Sequence, residues 1–99
     1  MNLPSTHCGR PRFSPGRIFV TPGVLSALQG TDVSIADLLL RHLRGDWGDI
    51  SEEDRNQNEL SVTTGLRLLS SYPLPDGKKV WVITEWDRSV TTFLLPDEY

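Results

Sequence analysis

Ninety-nine residues, 37% of them hydrophobic and 23% charged, make one domain with a thin core, and a net charge of −3 serves solubility. An acidic pI of 5.2 argues against broad electrostatic binding to nucleic acid, which needs a basic face, and leaves room only for a local basic pocket. The lone cysteine, Cys8, cannot close an internal disulfide, and no run of ~18 apolar residues or signal-peptide core is present, so the sequence predicts a soluble cytoplasmic protein.

Residues 1–16 hold three of the seven prolines and little hydrophobic periodicity. They read as a flexible leader, with Arg10, Arg12 and the following Arg17 biasing it positive. The folded unit is expected over residues 17–99. Arg17-Ile-Phe-Val-Thr21 is β-branched and aromatic and predicts a short first strand. Thr21-Pro22 then opens a helix, because threonine caps free amides and proline at the first helical position sacrifices no bond. Gly30 closes it.

A second helix starts at Asp32 or Ser34 and runs to Arg44, with Ile35, Leu38, Leu39, His42 and Leu43 at helical spacing. This best-patterned helix is expected at the centre of the core. Asp46-Trp47-Gly48-Asp49 forms a tight link in which Trp47 should be buried. Ser51-Glu-Glu-Asp54 then caps a polar helix that ends at Gly65.

Three strands follow. Leu66–Tyr72 is the first, the turn Pro75-Asp76-Gly77 leads to Val80–Trp86, and the break Asp87-Arg88-Ser89 leads to Val90–Leu95. Short links between consecutive strands place 80–86 between the other two. The expectation is an α+β fold, with a short N-terminal strand and three helices packed on one face of a C-terminal antiparallel β-meander.

Five side chains have the chemistry of a metal-independent ribonuclease. His42 or Glu85 would take the 2′-hydroxyl proton, while Arg88, Thr91 and Thr92 would stabilise the charged phosphorane. The competing reading makes His42 a structural histidine held by a carbonyl or by Asp46, and Arg88 a salt-bridge partner of Asp46, Asp49 or Asp87. Trp81 and Trp86 would point to opposite faces of one strand, so one of them is free to anchor a partner, with Arg88 beside it. No His/Cys spacing suits a metal, and no cofactor motif is present.

The stretches Thr21-Pro-Gly-Val-Leu25, Leu39-Leu-Arg-His42, Gly45-Asp-Trp-Gly-Asp49, Glu53-Asp54, Arg67-Leu-Leu-Ser-Ser-Tyr72, Trp81-Val-Ile-Thr-Glu85, Asp87-Arg-Ser-Val-Thr-Thr92 and Leu95-Pro96 carry a resemblance over residues 17–99. The chain resembles a family of small uncharacterised bacterial proteins of plasmids, prophages and integrated elements, often labelled plasmid-related proteins. Trp86 departs from that pattern, where a small residue is expected. The resemblance implies a mobile-element setting and no activity. A restriction-enzyme subunit, another label used in this family, has no support in these 99 residues, which cannot hold a methyltransferase and carry no glycine-rich nucleotide loop.

Two functional expectations result. The first is a small non-enzymatic binding or regulatory protein with a protein partner, modulating a host enzyme or defence complex. The second is a ribonuclease of the barnase–RelE-like class, in which helices precede an antiparallel meander. The acidic pI ranks the second below the first.

Overall fold

The computed structural model describes residues 10–99, so Cys8 and the rest of residues 1–9 lie outside the described residues. Strand β1 (Arg17–Val20) leads into helix α1 (Pro22–Leu28), helix α2 (Ile35–Leu43) and helix α3 (Glu52–Thr64). Strands β2 (Leu68–Pro73), β3 (Lys79–Thr84) and β4 (Val90–Leu94) follow, and a single 3-10 turn, Pro96–Glu98, comes last.

The helix starts form as their caps dictate. The Thr21 hydroxyl accepts from the Val24 N–H at 3.2 Å with Pro22 next in line, Ser34 accepts from the Asp37 N–H at 3.1 Å, and Ser51 accepts from the Asp54 N–H at 3.0 Å. Helix α3 buries only Asn58 and Ser61 and closes at Gly65, which takes a left-handed conformation.

The sheet order is β1-β4-β3-β2, with β3 central among the last three strands as the short links require. The meander is antiparallel, pairing Ser70 with Val82 and Val82 with Phe93. β1 corrects the expectation of a purely antiparallel sheet. It lies parallel to β4, with Arg17 opposite Val90 and Val20 opposite Phe93. A chain that leaves β1 through three helices and a meander reaches β4 in the same direction, so the mixed sheet follows from the long crossover.

One face of the sheet carries Tyr72, Val80, Val82 and Phe93 against Val24 and Ala27 of α1 and Leu38 of α2. Helix α3 departs from the expected one-face arrangement and lies beside the outer edge of β2. There the Asn58 side chain donates to the Leu69 carbonyl at 2.7 Å and accepts from the Leu69 N–H at 3.2 Å. Two residues on, the same edge meets the Trp47–Asp49 link: Ser71 N–H donates to the Trp47 carbonyl at 3.0 Å, and Asp49 N–H donates to the Ser71 carbonyl at 2.7 Å. Gly48 is obligatory in that contact, because a Cβ there would stand 2.1 Å from the Ser71 carbonyl oxygen. Pro73, next in the same alternation, has no N–H to offer.

On the opposite face Ile83 and Leu94 are buried, and Tyr99 packs edge-on against Trp81 with ring centres 5.8 Å apart. Arg67 lies over the Tyr99 ring and donates to its hydroxyl.

Residues 10–16, assigned to the leader by composition, form a strap across the body. Arg12 N–H donates to the Leu43 carbonyl at 2.7 Å, and the Arg12 guanidinium forks onto Glu59 at 2.8 and 3.0 Å. Gly16 takes a positive φ where it passes the Ser89 carbonyl, again with no room for a Cβ.

Candidate functional site

His42 is wholly buried where α2 crosses β2 and β3. Its Nδ1 lies 2.6 Å from Ser70 Oγ and its Nε2 lies 2.9 Å from Thr84 Oγ1. Thr84 Oγ1 is 2.7 Å from Thr91 Oγ1, and the Thr91 hydroxyl donates to the Pro15 carbonyl of the strap at 2.7 Å. The end of this chain fixes its direction. A carbonyl only accepts, so Thr91 gives it a proton, Thr84 donates to Thr91, and the imidazole Nε2–H donates to Thr84. Ser70 then donates to Nδ1. The chain of hydroxyls holds His42 as the neutral Nε2–H tautomer.

Electrostatics agree with that assignment. Burial, and secondarily the positive charge of Arg88, lower the His42 pKa from 6.5 to about 3. The expected carbonyl or Asp46 partner is therefore corrected. Asp46 instead pairs with Arg41 at 2.7 Å, and that guanidinium holds its carboxyl below the ordinary range.

A titration test follows. The unfolded imidazole takes its proton near 6.5 and the folded one only near 3, so the unfolded state binds more protons between those values. Stability is complete above pH 6.5 and falls as pH drops through this window. Denaturant melts between about pH 6.5 and 5, above the titration of ordinary carboxylates, should show a loss approaching ~1.4 kcal/mol per pH unit. His42→Gln should flatten that slope. A slope unchanged in the variant would mean that another group carries it.

Phe13 of the strap closes the site from outside. Its ring meets His42 edge-on at 5.2 Å and stacks on Trp47 at 6.2 Å, with the Arg88 guanidinium 5.6 Å from its centre. Trp47 is buried as expected, and its indole N–H donates to Glu59 at 3.0 Å. Glu59 thus receives both the strap arginine and the tryptophan, and the Arg12 hydrogen bonds keep its carboxyl below the usual value.

Arg88 makes no salt bridge among the described residues, which overturns the expected pairing with Asp46, Asp49 or Asp87. One terminal nitrogen donates to the carbonyls of Leu66 at 2.7 Å, Glu85 at 3.1 Å and Trp86 at 3.2 Å, and the other donates to Ser61 at 2.7 Å. Ser61 is in the last turn of α3, at the negative end of the helix dipole, and its carbonyl also accepts from the Gly65 and Leu66 N–H groups at 3.0 and 3.3 Å. These carbonyls satisfy the guanidinium in place of a carboxylate. Asp87 turns instead to Ser89, accepting from its N–H at 3.0 Å and its hydroxyl at 2.6 Å. Arg88 itself has a φ of 60°, in the left-handed region.

The five catalytic candidates therefore divide. His42 and Arg88 meet at Phe13, and Thr91 joins them through Thr84 and the Pro15 carbonyl. Thr92 falls on the opposite face of β4, beside Phe19 and Ile83, and Glu85 enters the cluster through its backbone. Of the binding candidates, Trp81 is half-buried under Tyr99. Trp86 lies beyond the end of β3 in the turn to β4 and is 65% exposed.

Phe13, Ser70 and Thr84 were not singled out from the sequence. Ser70 and Thr84 did leave a signal: they occupy the alternating positions of β2 and β3 that otherwise point Leu68, Tyr72, Val80 and Val82 inward. A hydroxyl on an apolar face needs a buried partner, and His42 on the covering helix is that partner.

No group of three or more His, Cys, Asp or Glu among the described residues is arranged to hold a metal. No helix among them is long and apolar enough to cross a membrane. A cavity of about 270 Å³ lined by Lys78, Lys79, Leu95, Pro96 and Asp97 shares no residue with the His42 cluster. Compared with family models, curated proteins and solved structures, the chain matches none.

Proposed function

We propose that this chain is a small non-enzymatic binding protein whose protein contact is centred on Trp86. The observation that carries the reading is a large exposed indole on a turn that Arg88 fastens to the last turn of α3 and to the link that follows it. A rigid aromatic anchor loses little freedom on binding, and such residues dominate contact energies. Exposed Leu66, whose carbonyl receives Arg88, adjoins the same turn and extends the apolar surface.

The His42 cluster supports the same reading by what its groups are occupied with. Both ring nitrogens of His42 are engaged by hydroxyls, its proton affinity is far below neutrality, and Phe13 covers it. Arg88 spends its terminal donors on main-chain carbonyls. The bacterial mobile-element setting, with a host enzyme or defence complex as partner, rests on the sequence resemblance alone.

A photo-crosslinking residue placed at position 86 should capture a discrete protein in extract of the expressing cells, whereas one at exposed Gln29 should not. Trp86→Ala should abolish retention of that protein while moving stability by less than about 0.5 kcal/mol, as surface substitutions do. Retention undiminished by Trp86→Ala sinks the proposal.

The convergence of His42, Thr91 and Arg88 favours a second reading, the metal-independent ribonuclease. RNA incubated with the protein in excess EDTA distinguishes it. Cleavage that vanishes in both His42→Ala and Arg88→Lys would promote the nuclease over the binding protein.

A further inference from the structure

The two edges of the sheet are treated differently. The β2 edge is occupied at Leu69 by Asn58, occupied at Ser71 by the Trp47–Asp49 link, and silent at Pro73. Among the described residues nothing pairs with the outer edge of β1. That edge also carries apolar side chains in water, with Ile18 39% and Phe19 48% exposed. Open edges with apolar side chains template pairing with another strand, and folded proteins ordinarily block them.

Hydrogen-bond parity shows which groups are free. Arg17 N–H donates to the Ser89 carbonyl at 2.9 Å and Thr21 N–H to the Phe93 carbonyl at 3.0 Å, so the odd positions face β4. By alternation the N–H and C=O groups of Ile18 and Val20 face outward.

We propose that β1 pairs antiparallel with β1 of a second copy of this chain, about a two-fold axis passing at Phe19. In this register Ile18 exchanges both main-chain bonds with the second copy's Val20, and Val20 does the same with its Ile18. The two Phe19 side chains meet across the axis at the close, non-hydrogen-bonded pair, where strands approach to ~4.5 Å between Cα atoms.

Neighbouring symmetric registers fail on the same strand. Centring on Ile18 would recruit Gly16, whose φ of 67° takes it out of extended geometry. Centring on Val20 would recruit Pro22, which has no N–H and begins α1. Charge also permits the Phe19 register. Arg17 falls opposite the second copy's Thr21, so no like charges face each other. A strand of four residues limits the contact, so the dimer is expected at the weak end of specific interfaces. The inference stands apart from the Trp86 contact, which lies in the β3–β4 turn.

Position 19 faces its own copy, and this gives a test that a general loss of stickiness would not pass. Sedimentation of the full chain from about 1 µM to 1 mM, the range of weak protein association, should show mass rising toward twice the monomer. Phe19→Lys and Phe19→Glu should each remain monomeric with unchanged melts, because like charges would meet at the axis. Mixed in equal amounts, the two variants should form a heterodimer. Wild-type protein monomeric at 1 mM overturns the proposal. So does a dimer that survives Phe19→Lys, or a mixture that stays monomeric.

Discussion

Trp47→Ala is expected to lower the unfolding free energy by about 3–5 kcal/mol, the range for aromatic truncation in a core. The ring is 1% exposed and lies against Phe13 and His42, with its N–H on Glu59. Its loss would leave a void where the strap, α2 and α3 meet, and would remove one of the donors that hold Glu59 in place. Trp47→Phe retains most of the packing and gives up the N–H, so it should cost roughly 1–2 kcal/mol. Denaturant melts measure both. A loss below about 1 kcal/mol in the alanine variant would remove Trp47 from the core.

Arg88→Ala should cost about 3 kcal/mol through its lost charge-assisted hydrogen bonds, while the strain of the left-handed backbone is common to arginine and alanine. Backbone strain separates the substitutions. Arg88→Gly loses the same guanidinium but accepts a φ of 60° freely, so it should be less destabilised than Arg88→Ala by roughly 1 kcal/mol. Arg88→Lys should be intermediate, because one ammonium cannot span the Ser61 and Leu66 carbonyls as the planar fork does. Added salt tests the partner type. An ion pair would weaken with ionic strength, whereas bonds to carbonyls should leave the wild-type advantage nearly unchanged up to ~1 M salt. Equal stability of the alanine and glycine variants would contradict this account of the turn.

Much of this was legible in the residues, for physical reasons. His42 stands four residues after Leu38, a spacing that sets it on the buried stripe of α2 or at its margin, and it is wholly buried. Asp76-Gly77 and Asp87-Arg88-Ser89 fixed the meander and hence the central place of β3. The destination of Arg88 was hidden because its acceptors are main-chain carbonyls, which every residue carries and no sequence advertises. Acids were the visible partners and therefore the expected ones. The strap was hidden for the same reason: backbone groups of Arg12, Pro15 and Leu43 make its key bonds. Parallel pairing of β1 with β4 was hidden by distance, since no local turn links Arg17 to Val90.

That pairing has a consequence for how the protein is made. Arg17 leaves the ribosome 73 residues ahead of Val90, roughly 4–15 s at ~5–20 residues per second. Throughout that interval β1 has no strand beside it, and the carboxylate of Glu98 that will accept from the Thr21 hydroxyl does not yet exist. Nascent chains on one message therefore present Ile18 and Phe19 to their neighbours before the chain's own last strand can claim them. Correct maturation depends on β4 reaching β1 ahead of those encounters, so holding factors that bind extended apolar segments should act on this protein until β4 is available.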